Sequence, residues 1–174
     1  MRKDDSYMDN RTDLYIEKCR EEAVIPTYAN DGDAGMDIYA AADVLIAPGE
    51  TKLVPTGLKF AIPYGYEVQI RPRSGISLKT LLRVPNSPGT IDCGYRDEVN
   101  VIIYNASVRE EANADNPFTL KDKGNKQGTY LISKGDRIAQ MVMAKVEYCN
   151  PVIVDSVSDI GQNRGGGFGS TGVH

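Results

Sequence analysis

At 174 residues, with 41% hydrophobic residues and a formal net charge of −4, the chain fits one domain with its own core, and it has no lysine- or arginine-rich tract of the kind a duplex DNA or RNA surface needs. The one histidine is His174, which excludes Ser-His-Asp triads, Cys-His dyads and multi-histidine zinc sites and leaves carboxylate chemistry, with a hard metal as its natural companion. Three cysteines (Cys19, Cys93, Cys149) without C-x-x-C spacing, no apolar signal core in the first dozen residues and no run of membrane-spanning length give the expectation of a soluble, cytoplasmic protein with free thiols.

Residues 1–12 read as a polar extension, and a single β domain is expected over 13–160. Short apolar alternations recur there between glycines and prolines: Leu14-Tyr15-Ile16, Val44-Leu45-Ile46, Leu58 to Ile62, Tyr66 to Ile70, Val99 to Ile103 and Ile138 to Val146. Such punctuation predicts strands. Ser74 to Leu82 alone reads as a short helix, with Ser74 as its N-cap and Ile76, Lys79 and Leu82 at spacings of three. The pattern predicts an all-β sandwich or jelly roll. In Asn86-Ser87-Pro88-Gly89-Thr90-Ile91-Asp92-Cys93-Gly94-Tyr95-Arg96-Asp97-Glu98, Pro88 and Gly89 suggest a hairpin between Val84 and the Val99, Val101, Ile103 alternation. Asp92 and Tyr95 then project from a rigid turn; an ordinary hairpin with the Asp in an Asx-turn and the Tyr on the core has the same pattern. Residues 106–131 are long, polar and charged and are expected to form an insertion or exposed arm between two strands. Residues 161–174 make a tail with six glycines.

Four other segments carry chemistry. Arg71-Pro72-Arg73-Ser74-Gly75 sets two cations at a strand end and a hydroxyl with free amides at the start of a helix, which suits an anion. Ala34-Gly35-Met36-Asp37-Ile38 offers a carboxylate that serves either an outer-shell magnesium or a turn. Gly135-Asp136-Arg137-Ile138-Ala139-Gln140 opens an apolar strand with a polar Gln inside it. In the tail, Gly167 to Gly172 satisfies G-x-G-x-x-G, yet only two residues follow, so no helix can start there and a Rossmann reading fails on context. What the tail offers is amides, hydroxyls, Arg164 and the ring of Phe168, a set suited to a phosphate-bearing ligand with a flat base.

Together and in this order, the five segments resemble the trimeric dUTPase family, the deoxyuridine triphosphate nucleotidohydrolases, of phage or bacterial type, with Ile25-Pro26-Thr27-Tyr28-Ala29 as a similar lead-in. The resemblance implies a jelly-roll (distorted barrel) protomer, a homotrimer, and sites at subunit interfaces, each closed by a neighbour's tail. It implies hydrolysis of dUTP to dUMP and diphosphate with Mg²⁺, which clears dUTP from the nucleotide pool and supplies dUMP for thymidylate synthesis. By resemblance, Asp92 is the general base for the attacking water and Asp37 holds magnesium through water. Arg73, Ser74, Gly75 and Gln140 hold the triphosphate. Asn86, with the backbone of Gly89, Thr90 and Ile91, reads the uracil edge, and Tyr95 packs under the deoxyribose. Arg164 reaches the γ-phosphate, Phe168 covers the uracil, and Gly169, Ser170 and Thr171 add substrate contacts.

The chain departs from the family pattern at three places. Asp97 stands where glycine is usual, Arg164 precedes Phe168 by one residue fewer than is common, and 106–131 is longer than the usual connection. Some phage-encoded members carry extra segments near there, so a protein partner through 106–131 is one expectation. Two further readings compete with the hydrolase: an enzyme related to the dCTP deaminases, and a nucleotide-responsive regulatory binding protein that grips its partner with the 106–131 arm.

Overall fold

The computed structural model describes residues 11–163 and Gly165. Most of the polar extension, and Arg164, Phe168, Gly169, Ser170 and Thr171 of the tail, lie outside the described residues. In chain order the strands are β1 (Tyr15–Lys18), β2 (Met36–Tyr39), β3 (Val44–Ile46), β4 (Thr51–Pro55), β5 (Leu58–Ala61) and β6 (Tyr66–Arg71), followed by the helix α1 (Ser74–Lys79). Then come β7 (Leu82–Arg83), β8 (Gly89–Ile91), β9 (Asn100–Asn105), β10 (Phe118–Thr119), β11 (Tyr130–Ile132) and β12 (Arg137–Lys145). This is the all-β architecture the alternations predict. No helix among the described residues is long and apolar enough to cross a membrane.

Among the described residues the strands form four sheets, with strand orders β1-β5, β10-β11-β3, β2-β12-β6-β8 and β4-β9-β7. Period-two patterning explains their sidedness. In β6, Val68 and Ile70 are buried while Gln69 and Arg71 face outward; in β9, Val101 and Ile103 are buried. With Ile38, Leu58, Phe60, Ile132, Ile138 and Met141 these side chains form the core, each contributing about 1.5–3 kcal/mol of burial energy against the entropy of ordering the chain.

β12 departs from strict alternation. Its pairing with β2 slips between Arg137 and Ala139, so that Ile138 and Ala139 are both buried. The extra residue is a bulge, and it lets Arg137 and Gln140, three positions apart, reach one face.

Two local expectations are corrected. Ser74 is the first helical residue and not the cap; Arg73 occupies the N-cap position in extended geometry and makes no capping bond with its side chain, whose guanidinium is drawn to Asp37 instead. The flanks of the Asn86 to Glu98 segment pair antiparallel as the expected hairpin requires, but the segment between them is not a simple turn. β7 pairs with β9 directly, while β8 leaves that sheet and pairs with β6. The chemistry-bearing stretch is thus an excursion from one sheet to another, made possible at Gly89, where a Cβ would lie 3.0 Å from the Asn86 side-chain Nδ2 and 3.5 Å from Ile70 Cβ.

Residues 106–131 are largely exposed but tied down at several points. Buried Asn105 donates to the carbonyls of Ile46 and Gly128 at 2.9 and 2.8 Å and accepts from the Ser107 amide at 3.0 Å. The Thr129 amide donates to Ala112 at 2.6 Å, and Gly128, at φ +154°, sits so close to Ala112 that a Cβ would meet its backbone at 2.5 Å.

Candidate active site

The first group of predicted site residues assembles at one edge of the β2-β12-β6-β8 sheet. Register places Asp37 beside Gln140 and Gln140 beside Arg71, one polar row across three strands. Arg73 follows at the end of β6, where Pro72 ends the ladder. Its Nε donates to Asp37 Oδ1 at 2.7 Å, and Arg137 Nη1 donates to Asp37 Oδ2 at 3.1 Å. One carboxylate therefore braces two guanidinium groups. The bond with Arg73 is the more sheltered, with side-chain exposures of 26% and 19%. Arg73 also donates to the Arg137 carbonyl at 3.4 Å, and Gln140 Nε2 donates to the Pro72 carbonyl at 2.8 Å.

These side chains, with Ser74 and Gly75 at the start of α1, line a cleft of about 400 Å³. Two guanidinium groups face two carboxylates, Asp37 and Asp33, around this cleft, and each guanidinium retains donors beyond those spent on Asp37. The Ile76 and Ser77 amides both donate to the Arg73 carbonyl at 3.1 Å, which leaves the Ser74 and Gly75 amides as further donors at the same wall. Such a cleft suits a multiply charged oxyanion.

The sequence reading placed Asp37, Arg73, Ser74, Gly75 and Gln140 in one site, and the structure brings them together. It also adds Arg137, for which the sequence suggests no role. Its signal was its place just before the polar Gln in a buried strand. Asp136, by contrast, closes a turn, accepting from the Ser133 amide at 2.8 Å beside Gly135 at φ +85°.

The second group sits at the opposite edge of the same sheet. Asn86, Thr90, Asp92 and Tyr95 are exposed around β8, and Gly89 is buried against β6. The Tyr95 amide donates to the Asp92 carbonyl at 3.0 Å, and the Tyr95 hydroxyl donates to the Glu98 carbonyl at 3.0 Å, which fixes the turn and leaves Tyr95 as a residue 38% exposed. Glu98 is fixed in turn, accepting from Arg20 at 2.6 and 2.9 Å and from the Gly57 amide at 2.8 Å. The Arg20 hydrogen bond above all holds the Glu98 carboxyl below the ordinary carboxylate range, with burial opposing and the Gly57 amide assisting. The Asp92 side chain has no hydrogen-bond partner among the described residues and borders a second cleft with Glu67, Cys93 and Tyr148.

Strand spacing and residue rise put Asp92 about 20 Å from Asp37, three strands away and some four residues along. Along β6 between them runs a polar ladder in which Gln69 donates to Glu67 at 2.6 Å and Arg71 donates to Gln69 at 2.5 and 3.0 Å. Within one protomer, then, the two groups of predicted residues share a sheet and a face but not a cleft.

Comparison with known proteins adds to this geometry. A family model described as dUTPase matches residues 21–111. A deoxyuridine 5'-triphosphate nucleotidohydrolase from Picosynechococcus sp. is 45% identical over 160 residues, spanning 92% of this chain and 99% of that protein. Among solved structures, a Staphylococcus bacteriophage 80alpha dUTPase with dUPNHPP aligns at a TM-score of 0.79 and 31% identity, over 94% of this chain and 100% of that one. A variant of the dUTPase from phage phi11 of S. aureus, which coordinates a structural Mg(II) ion, aligns at a TM-score of 0.74 and 30% identity, over 83% of this chain and 98% of that one.

Proposed function

The chain belongs to the dUTPase family, and from that premise we propose that it splits dUTP into dUMP and diphosphate at a site that copies of the chain complete for one another, as a homotrimer. The observation that carries this reading is the braced Asp37–Arg73–Arg137 cluster beside Ser74, Gly75 and Gln140, a phosphate-sized concentration of donors on the far edge of the sheet from Asp92. A base must come within hydrogen-bond reach of the water it activates, so an Asp92 about 20 Å away serves the cleft of another copy and not its own.

In this mechanism Arg73, Arg137, Ser74, Gly75 and Gln140 hold the triphosphate and neutralise charge as it develops, and Asp92 takes the proton of the attacking water. Phosphoryl chemistry asks mainly for positioning and electrostatics, so neither histidine nor a covalent nucleophile is needed. Asn86 and the Gly89–Ile91 backbone read the uracil edge, where a cytosine would leave buried polar groups unpaired. Tyr95 packs against the deoxyribose where a 2′-hydroxyl would clash. Arg164 and Phe168, with Gly169, Ser170 and Thr171, close over the substrate from a neighbouring copy.

Magnesium fits this donor set in an outer-sphere role. Both Asp37 oxygens already accept from guanidinium groups, while each keeps a further lone pair for a bound water, and Mg²⁺ characteristically keeps several waters while binding substrate phosphates. Bound there, it would neutralise phosphate charge.

Incubating the protein with dUTP, dCTP, dTTP and UTP plus Mg²⁺ should release diphosphate from dUTP far ahead of the others. Ammonia from dCTP would favour a deaminase, and equal turnover of all four would remove the uracil pocket. Sharing of sites is tested by mixing Asp92→Asn chains with Arg73→Gln chains: subunit exchange should restore activity absent from either parent, and proven exchange without recovery would refute it.

A further inference from the structure

α1 is six residues long, has no buried residue and has no side-chain cap at its N-terminus. A single turn and a half of helix is far below the length that holds itself in water, so its position depends on Ile76, which packs against the core, and on what holds its ends. At its C-terminal end Thr80, which is buried, donates from its amide and hydroxyl to Ile76 at 3.0 and 2.8 Å. The carbonyl of Lys79, the last helical residue, is met from outside: the Asn125 amide donates to it at 3.1 Å. Asn125 is the one non-glycine residue with positive φ among the described residues, at +51°, next to Gly124 at +95°. That conformation is costly for most side chains and tolerable for Asn, and here it aims an amide at the helix end.

The turn that carries Asn125 is itself anchored. The Tyr130 ring is fully buried and its hydroxyl donates to the Lys126 carbonyl at 2.7 Å. Tyr130 packs at 5.8 Å against Phe118, over whose ring Lys126 lies at 5.1 Å. At the turn's start, Asp122 accepts from the Thr119 amide and hydroxyl at 2.8 and 3.0 Å.

We propose that the 118–130 segment is a strut for α1, with Asn125 as a positioning residue that holds Ser74 and Gly75 where the triphosphate binds. The inference rests on the reading of the phosphate cleft given above. It assigns this stretch of the long connection a role inside the enzyme: a loosened strut degrades contacts to the outer phosphates and leaves nucleoside contacts untouched, because Asn86, Gly89 and Tyr95 are on the other edge of the sheet.

The test compares binding of dUPNHPP and dUMP to the full chain, with hydrogen exchange at the α1 amides. Asn125→Val opposes the positive φ and should weaken dUPNHPP by about 5- to 20-fold while dUMP changes by less than about twofold. Asn125→Gly keeps both the conformation and the amide and should bind like the natural chain. Tyr130→Phe removes the hydroxyl tether alone and should shift in the same direction by a smaller factor, which preserves the test should Asn125→Val fail to fold. Equal losses for dUMP and dUPNHPP would mean a merely structural residue and overturn the proposal. If dUPNHPP slows α1 exchange in the natural chain yet binds Asn125→Val and Tyr130→Phe undiminished, the phosphate cleft stands and the strut falls. If dUPNHPP leaves α1 exchange unchanged in the natural chain, both fall.

Discussion

The two edges of the central sheet treat their carboxylates in opposite ways. Asp37 is locked between Arg73 and Arg137, with both oxygens occupied. Asp92 stands in the open on a turn whose backbone is fixed while its side chain has no partner among the described residues. Under the proposed reaction the contrast follows from the tasks. Groups that neutralise phosphate charge work best when already in place, because no reorganisation is then needed during reaction. A carboxylate that must take a proton works best clear of a guanidinium, which favours the unprotonated form. Rigid backbone with an unengaged side chain at one edge, and braced side chains at the other, are two forms of preorganisation.

The sharpest way to break the contrast is at the base. Asp92→Asn keeps the shape and removes the proton acceptor; turnover should drop by about 10²–10⁴-fold. Affinity for dUPNHPP, measured by calorimetry, should change little. A well-folded variant with near-normal turnover would place the base elsewhere.

At the other edge the loss should be one of binding. Arg73→Gln removes a charge-assisted contact and leaves Asp37 with Arg137 alone, so dUPNHPP affinity should weaken by about 10- to 100-fold with dUMP less affected. Equal weakening of both ligands would contradict the assignment of this edge to phosphates.

Glu98 tests the support beneath Asp92. Its carboxyl titrates below its unfolded-state value, chiefly through Arg20, so its stabilisation is complete above the unfolded carboxylate pKa of about 4.3 and disappears as pH falls through the lower folded value. Glu98→Gln should cost about 1–3 kcal/mol at pH 7 in urea unfolding. The gap between variant and natural chain should narrow toward pH 3; a gap independent of pH would show that the charge is not what matters.

The smallest effect is expected at Gly35. An added Cβ would meet Gln140 Oε1 at 2.7 Å, but that atom ends a flexible side chain. Gly35→Ala should displace Gln140 and weaken dUPNHPP by less than about fivefold. A larger loss would show that the bond from Gln140 to Pro72 fixes the cleft more firmly than its single hydrogen bond suggests.

How much of this was legible beforehand depends on the residue. Strands with clean alternation, β5, β6 and β9, read off within a residue or two at their ends, as did β1, β3 and the bulged β12. β2 did not, being four residues with an Asp inside; β4 ends in Pro55, tolerable because it is an edge strand. β8 begins with a glycine, and its partner β6 lies far back in the chain, so local pattern showed the antiparallel pairing of the flanks, β7 with β9, but not the departure of β8 to another sheet. The members of the phosphate cleft were legible as polar residues at strand ends, but the pairing of Asp37 with Arg73, 36 residues on, and with Arg137, 100 residues on, belongs to sheet order and not to any local signal. Arg137 was overlooked because an arginine at a strand start is usually just solvated.

The bulge in β12 sets a phase for the whole strand. Ahead of it, side chains count off toward solvent and core in one rhythm; after it, in the other, and Arg137 and Gln140 meet in one cleft only because the count slips between them. Such a slip cannot be lost by degrees. Straightening the strand with its residue number unchanged would turn either Arg137 or Gln140 to the interior face, whereas deleting Ile138 or Ala139 would leave the two on one face, two positions apart, and cost one buried side chain instead.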